Sequence, residues 1–75
     1  MAAGFIHTVY KGASWVNEVE GEDDPLPGTF ETKEEAVAAG RNRAIAAKTE
    51  HVIHNMDGTI GERNSYGDDP ESRPG

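Results

Sequence analysis

The chain has no cysteine, few basic residues and no long apolar run, and each of these absences removes a class of protein. Without cysteine there can be no disulfide and no thiolate metal site. Small secreted domains usually carry disulfides, so their absence favours the cytosol. No apolar run approaches the roughly 18 residues of a transmembrane helix, so we expect no membrane partner.

Acidic residues outnumber basic residues by fourteen to seven, which leaves a formal net charge of −7. Nucleic-acid binding is driven by Lys and Arg side chains that displace counterions, so this balance disfavours a nucleic-acid partner. Solubility is the simplest interpretation of the charge. An acidic inhibitor or DNA mimic that meets a basic partner is a second interpretation.

The length of 75 residues allows one domain, which we place at residues 1–66. Residues 67–75 are rich in Gly, Asp, Pro and Ser and are predicted to form a disordered acidic tail. A domain this short buries only about 60% of its unfolded surface. Because the core is thin and has no disulfide, self-association would add burial, and we expect a protein partner or a homodimer.

The first part of the chain predicts a hairpin. Residues 5–10 and 15–20 alternate with the period of two that is typical of strands, and Gly12 lies in the turn between them. On the second strand, Trp15 and Val19 mark the side that faces the core. A short third strand at residues 29–31 is an open alternative, with Phe30 turned into the core.

A helix is predicted to start at Thr32, where Thr32 and Glu35 form a capping box, and to end near Lys48. Its apolar face consists mainly of small residues and includes Gly40. A glycine inside a helix costs about 1 kcal/mol relative to alanine, unless a close approach to the sheet offsets that cost.

A second hairpin follows the helix, with strands at residues 51–54 and 59–65 and a tight turn at Asp57-Gly58. These elements predict an α+β fold. We expect a single antiparallel sheet of four strands, or five if residues 29–31 also pair, with one helix packed on one face. The predicted order is β-β-(β)-α-β-β.

The residues that could carry chemistry do not form a recognisable catalytic or metal motif. His51 and His54 are separated by an odd number of residues, so on a strand they face opposite ways, and His7 could join only one of them. Zinc sites need about four ligands. We therefore predict no metal, no cofactor and no enzymatic activity.

The polar run that ends the last strand is the strongest candidate for a contact surface. Tyr and Arg are enriched at binding hot spots, although Tyr66 is equally suited to covering the sheet edge. A basic strip on the helix, acting with Tyr66, would instead suit nucleic acid. The candidate interaction residues are Arg63, Asn64, Ser65, Tyr66, Arg41 and Lys48.

The chain resembles a family of small bacterial and phage domains of unknown function. The resemblance rests on Trp15, on the helix start Thr32-Lys33-Glu34-Glu35-Ala36, and above all on the closing run from His54 through Asp57-Gly58, Ile60, Glu62 and Ser65-Tyr66-Gly67 to Asp69-Pro70. The acidic, proline-bearing loop at residues 21–28 departs from the family pattern. The resemblance supports the predicted fold and implies no activity.

Overall fold

The computed structural model of the protein describes residues 4–67, so most of the predicted tail lies outside the described residues. Each predicted strand and the helix are present within one residue of the expected ends. The elements in chain order are β1 (Ile6–Lys11), β2 (Ser14–Val19), α1 (Lys33–Ala47), β3 (Glu50–His54) and β4 (Ile60–Ser65).

The sheet is mixed, and the prediction of a purely antiparallel sheet is wrong. Its strand order is β2-β1-β3-β4. The two hairpins are antiparallel as expected, but the central strands β1 and β3 run parallel, with Ile6 opposite His51. The reason is the helix, which lies between the two hairpins and forms the kind of crossover that parallel neighbours require.

The segment at residues 29–31 does not form a fifth strand. Phe30 makes one isolated antiparallel bridge with Trp15, in which each backbone N–H donates to the other residue's carbonyl at 2.8 Å. Pro25 and Pro27 precede this segment and have no N–H to donate, which limits a longer ladder in that direction. It therefore acts as a short cover along the outer side of β2.

The helix begins and ends at the residues that the sequence indicates. The Thr32 hydroxyl accepts a hydrogen bond from the Glu35 N–H at 3.2 Å, which caps the N-terminus. Lys48 ends the helix in the left-handed conformation, with φ 56°. Ala36, Gly40 and Ala44 are the buried residues of the helix, and their small size lets it lie close to the sheet.

The helix packs on β1, β2 and β3 but does not contact β4. The core between helix and sheet is small, as expected for this length. Within the described residues, no helix is long and apolar enough to cross a bilayer. The buried apolar side chains on the helix side are Ile6, Trp15, Ala36, Ala44 and Ile53, while Val16 and Val52 are buried on the opposite face.

Candidate interaction surface

A buried polar cluster lies directly beneath the helix. The Thr8 hydroxyl is 2.5 Å from Asn17 Oδ1 and 2.7 Å from His51 Nε2. Asn17 Nδ2 donates to the Ala36 carbonyl of the helix at 3.0 Å. A Cβ atom at Gly40 would come within 2.5–2.9 Å of the three polar side chains, so only glycine fits above them. The predicted close approach at Gly40 is confirmed.

The hydrogen-bond partners in this cluster determine which of its atoms carry the protons. Because the Asn17 amide donates to the helix, its Oδ1 is the acceptor that faces Thr8. The Thr8 hydroxyl therefore donates to Asn17 and accepts from the Nε2–H of His51. This leaves His51 Nδ1 as a lone pair, and it is the one buried side-chain polar atom without a partner in the described part of the chain.

The environment of His51 keeps its ring neutral. Burial lowers the pKa of His51 below its usual 6.5, and the nearby Arg41 charge lowers it further, while Glu62 acts in the opposite direction. The side chain of His51 is fully buried. Through the Asn17 amide, the cluster fixes how the helix sits on the sheet.

The opposite face of the sheet carries a second polar cluster, which we call the histidine stripe. It runs from the Glu20 carboxylate through His7 and His54 to the Gly58 carbonyl. His7 Nε2 is 3.2 Å from Glu20 Oε1, His7 Nδ1 is 2.9 Å from His54 Nε2, and His54 Nδ1 is 3.3 Å from Gly58 O. The prediction that His7 could join only one of the other two histidines is confirmed, since His51 lies on the helix side.

The two outer edges of the sheet differ in how their backbone groups are paired. On β2 every second residue faces outward, and each of these makes at least one backbone hydrogen bond with the loop that follows. Trp15 exchanges two bonds with Phe30, while the carbonyls of Asn17 and Val19 accept from Leu26 and Glu22 at 2.8 and 3.0 Å. The loop at residues 20–31 thus closes this edge.

The β4 edge is open. The Tyr66 N–H donates to the Thr49 carbonyl, so by antiparallel alternation residues 62, 64 and 66 face β3. The N–H and C=O groups of Arg63 and Ser65 then point outward. No backbone hydrogen bond among residues 4–67 reaches them there.

A groove lies beside this open edge because the helix stops short of β4. Its volume is about 480 Å³, and it combines an apolar base with charged walls. Val37 and Ile53 supply the apolar part. The positive charges are Lys33 and Arg41, and the negative charges are Glu34 and Glu62. The charges are balanced, so the groove does not select anions such as phosphates.

The six predicted interaction residues fall at three different places. Arg41 lines the groove, and Asn64 lies on the same side of the sheet, where its amide donates to Glu62 at 3.1 Å. Arg63 and Ser65 face the open side, with Arg63 Nε 3.3 Å from the Glu50 carboxylate.

Lys48 caps the end of the helix, and the Tyr66 N–H donates to the carbonyl of the next residue, Thr49. The helix charges and Tyr66 therefore do not form one strip.

The contribution of Val37 and Ile53 to a surface was not predicted. Their apolar character indicated only burial, and the gap between helix and β4 has no signature in the sequence.

Comparison with protein families matches residues 6–66 to a family described as an uncharacterized protein conserved in bacteria (DUF2188). The chain belongs to this family. The resemblance to bacterial domains of unknown function is thereby confirmed. No curated protein and no solved structure matches the chain. The family description assigns no activity, so function must be argued from the surfaces.

Proposed function

We propose that this family member is a non-enzymatic protein-interaction module that binds an extended segment of a partner protein along its β4 edge. The observation that carries the proposal is the difference between the two edges. Each outward-facing residue of β2 makes at least one backbone hydrogen bond with the chain's own loop, whereas none among residues 4–67 reaches the outward groups of Arg63 and Ser65. An open strand edge is a template for strand addition, in which backbone hydrogen bonds supply affinity.

The charges on β4 favour a different protein over a second copy as the occupant. When the β4 strands of two copies pair symmetrically and antiparallel, each side chain stays on the same face of the joined sheet. Even-numbered residues can therefore lie opposite only even-numbered residues, and odd-numbered opposite odd-numbered. The two registers that use most of the strand place Glu62 opposite Glu62, or Arg63 opposite Arg63. Like charges directly opposite are destabilising, and the net charge of −7 adds repulsion between copies.

The groove adds side-chain selectivity to the backbone contact. A strand added to β4 would direct alternate side chains over the groove, towards Ile53 and Val37. The chemistry of the partner follows from this. Its segment carries an apolar residue on the groove side, a basic residue opposite Glu62 and an acidic residue opposite Arg63. The lack of cysteine suits a reducing compartment such as the bacterial cytosol.

The proposal is tested by removing one outward backbone N–H without disturbing the fold. Ser65→Pro deletes the outward donor, and proline is tolerated where the N–H faces solvent. Ser65→Ala is the matched control, because it removes the hydroxyl and keeps the N–H. Wild type and both variants serve as baits in a bacterial lysate, and hydrogen exchange by mass spectrometry locates the contact on each captured complex.

We expect wild type and Ser65→Ala to retain the same partner, Ser65→Pro to retain at least tenfold less of it, and exchange to slow at residues 60–66 in the complex. Equal retention by Ser65→Pro, or protection elsewhere, would contradict the proposal. A dimer by light scattering that Ser65→Pro dissociates would make a second copy the occupant and would also contradict it.

A further inference from the structure

The histidine stripe contains three contacts and too few protons to fill them when its histidines are neutral. Both ends of the stripe, the Glu20 carboxylate and the Gly58 carbonyl, can only accept. Each of the three contacts therefore needs one ring proton. Two neutral imidazoles carry one N–H each, so whichever tautomers they adopt, one contact joins two lone pairs.

One added proton completes the stripe. His7 then donates to Glu20, His54 donates to Gly58, and the third proton lies between His7 Nδ1 and His54 Nε2 at 2.9 Å. A second added proton would place two N–H groups against each other and break this contact. The geometry is satisfied by one extra proton and by no other number.

We propose that His7 and His54 form a site that binds one proton and that this proton fastens the β3–β4 loop to the first hairpin. Gly58 lies in that loop, and His54 lies at the irregularity in the β3–β4 register. The stripe thus links Glu20 after β2, His7 on β1 and the loop. The proton site stands on its own geometry, and only an effect on partner binding would rest on the proposed function.

The ring geometry favours a proton over a metal ion between the two histidines. The ring centroids are 5.2 Å apart and the facing nitrogens 2.9 Å apart. The difference is about twice the distance from a ring centre to its nitrogen, so both nitrogens lie close to the line between the centres. Two ligands on a tetrahedral ion at about 2.0–2.1 Å would be about 3.3 Å apart and would converge at an angle.

The charged groups around the stripe also favour a bound proton. Lys11 on β1 pairs with Glu18 on β2 at 3.0 Å, and Arg63 on β4 pairs with Glu50 on β3 at 3.3 Å. Within each of these ion pairs, the positive and negative charges nearly cancel. The remaining acids are Glu20, which contacts His7, and Asp57, which lies in the loop. Across the sheet, His51 is neutral and adds no opposing charge.

The site can be tested by one isosteric substitution. In Glu20→Gln, the side-chain amide can donate to His7 Nε2, so the neutral pair then fills all three contacts. Glu18→Gln is the matched control, because it removes one negative charge from the neighbouring strand without touching a histidine. Proton–nitrogen NMR spectra of the ring nitrogens count the protons on the pair.

At pH 7 two independent histidines would together carry about half a proton. We expect about one proton on the pair in wild type and in Glu18→Gln, and half a proton or less in Glu20→Gln. Exchange at Gly58 and Thr59, corrected for the intrinsic rate, should slow at least threefold from pH 8 to pH 6 in wild type and not in Glu20→Gln.

Independent titration of the two histidines in wild type would overturn the inference. So would equal proton counts in Glu20→Gln and Glu18→Gln. Stoichiometric zinc or copper that displaces the proton at neutral pH and shifts both rings would make the site a metal site, and would overturn it as well. None of these readouts requires a partner protein, so the proposed function is tested separately.

Discussion

The buried polar cluster and the histidine stripe lie on opposite faces of one sheet. One places Thr8 and His51 beneath the helix, and the other places His7 and His54 on the face away from the helix. Each joins two strands through an imidazole. The buried polar cluster is closed to solvent, and the hydrogen bond from the Asn17 amide to the helix determines where its protons lie. The histidine stripe is partly exposed, and its three contacts need one proton more than two neutral imidazoles carry.

The largest expected effect comes from breaking the sealed cluster with Thr8→Val, which keeps the shape and removes the hydroxyl. Asn17 Oδ1 and the Nε2–H of His51 would both lose their partner in a dry site. Each unpaired buried group costs about 1–3 kcal/mol, so we expect a loss of roughly 3 kcal/mol in the free energy of unfolding. Urea unfolding at pH 7.5 measures it.

His7→Gln, at the adjacent position on the open face, is the control for this change. Water can replace a lost partner there, so its cost should stay below about 1 kcal/mol. Similar losses for the two variants would show that the two clusters do not differ as described.

A smaller loss is expected from Gly40→Ala. Alanine favours a helix by about 1 kcal/mol, but its Cβ would meet all three polar side chains of the sealed cluster. Overpacking of this kind costs about 1–3 kcal/mol, so the net loss should be about 0–2 kcal/mol. Ala39→Gly, one residue earlier in the helix, is a useful comparison, since it loses helix propensity without any clash. A stabilised Gly40→Ala variant would mean that the helix is free to move away from the sheet.

The smallest expected effect is on the pH dependence of the free energy of unfolding, to which the two clusters contribute differently. The pKa of His51 is lowered in the fold, chiefly by burial. As the pH falls below 6.5, His51 takes up a proton in the unfolded chain but not in the folded chain. The contribution of neutral His51 to stability is therefore complete above pH 6.5 and is lost as the pH falls through the folded pKa. The stripe should act in the opposite direction, because its first proton completes the hydrogen bonds.

Urea unfolding of His51→Gln at pH 7.5, 6.5 and 5.5 should accordingly show a shallower loss of stability towards low pH than wild type. Glu20→Gln should show a steeper loss, because it removes the gain from the stripe. Parallel curves for wild type and His51→Gln would contradict the assignment of the acid sensitivity to His51.

Much of the local structure could be predicted because it depends on neighbouring residues. Alternation located the strands, the Thr32 cap located the helix start, and the cost of a helical glycine identified Gly40 as a place of close approach. The odd spacing of His51 and His54 placed them on opposite faces. In each case the cause acts over a few residues and leaves a readable pattern.

The wrong or missing predictions concern features that depend on residues far apart in the sequence. Alternation is the same in parallel and antiparallel strands, so nothing in Ile6 or His51 indicated that β1 and β3 run parallel. The sequence left a short strand around Phe30 open and gave no sign that the loop would close the outer edge of β2. The groove between the helix and β4 exists only because the helix sits over the other three strands.

The sequence by itself determined the element types and ends and which residues share a face along each strand, because backbone propensity and side-chain period act locally. Tertiary structure alone decided the mixed sheet, the closed and open edges, and which histidines meet. Those features depend on where the crossover helix returns the chain, and that is set by packing between residues more than 30 positions apart, such as Thr8 and His51.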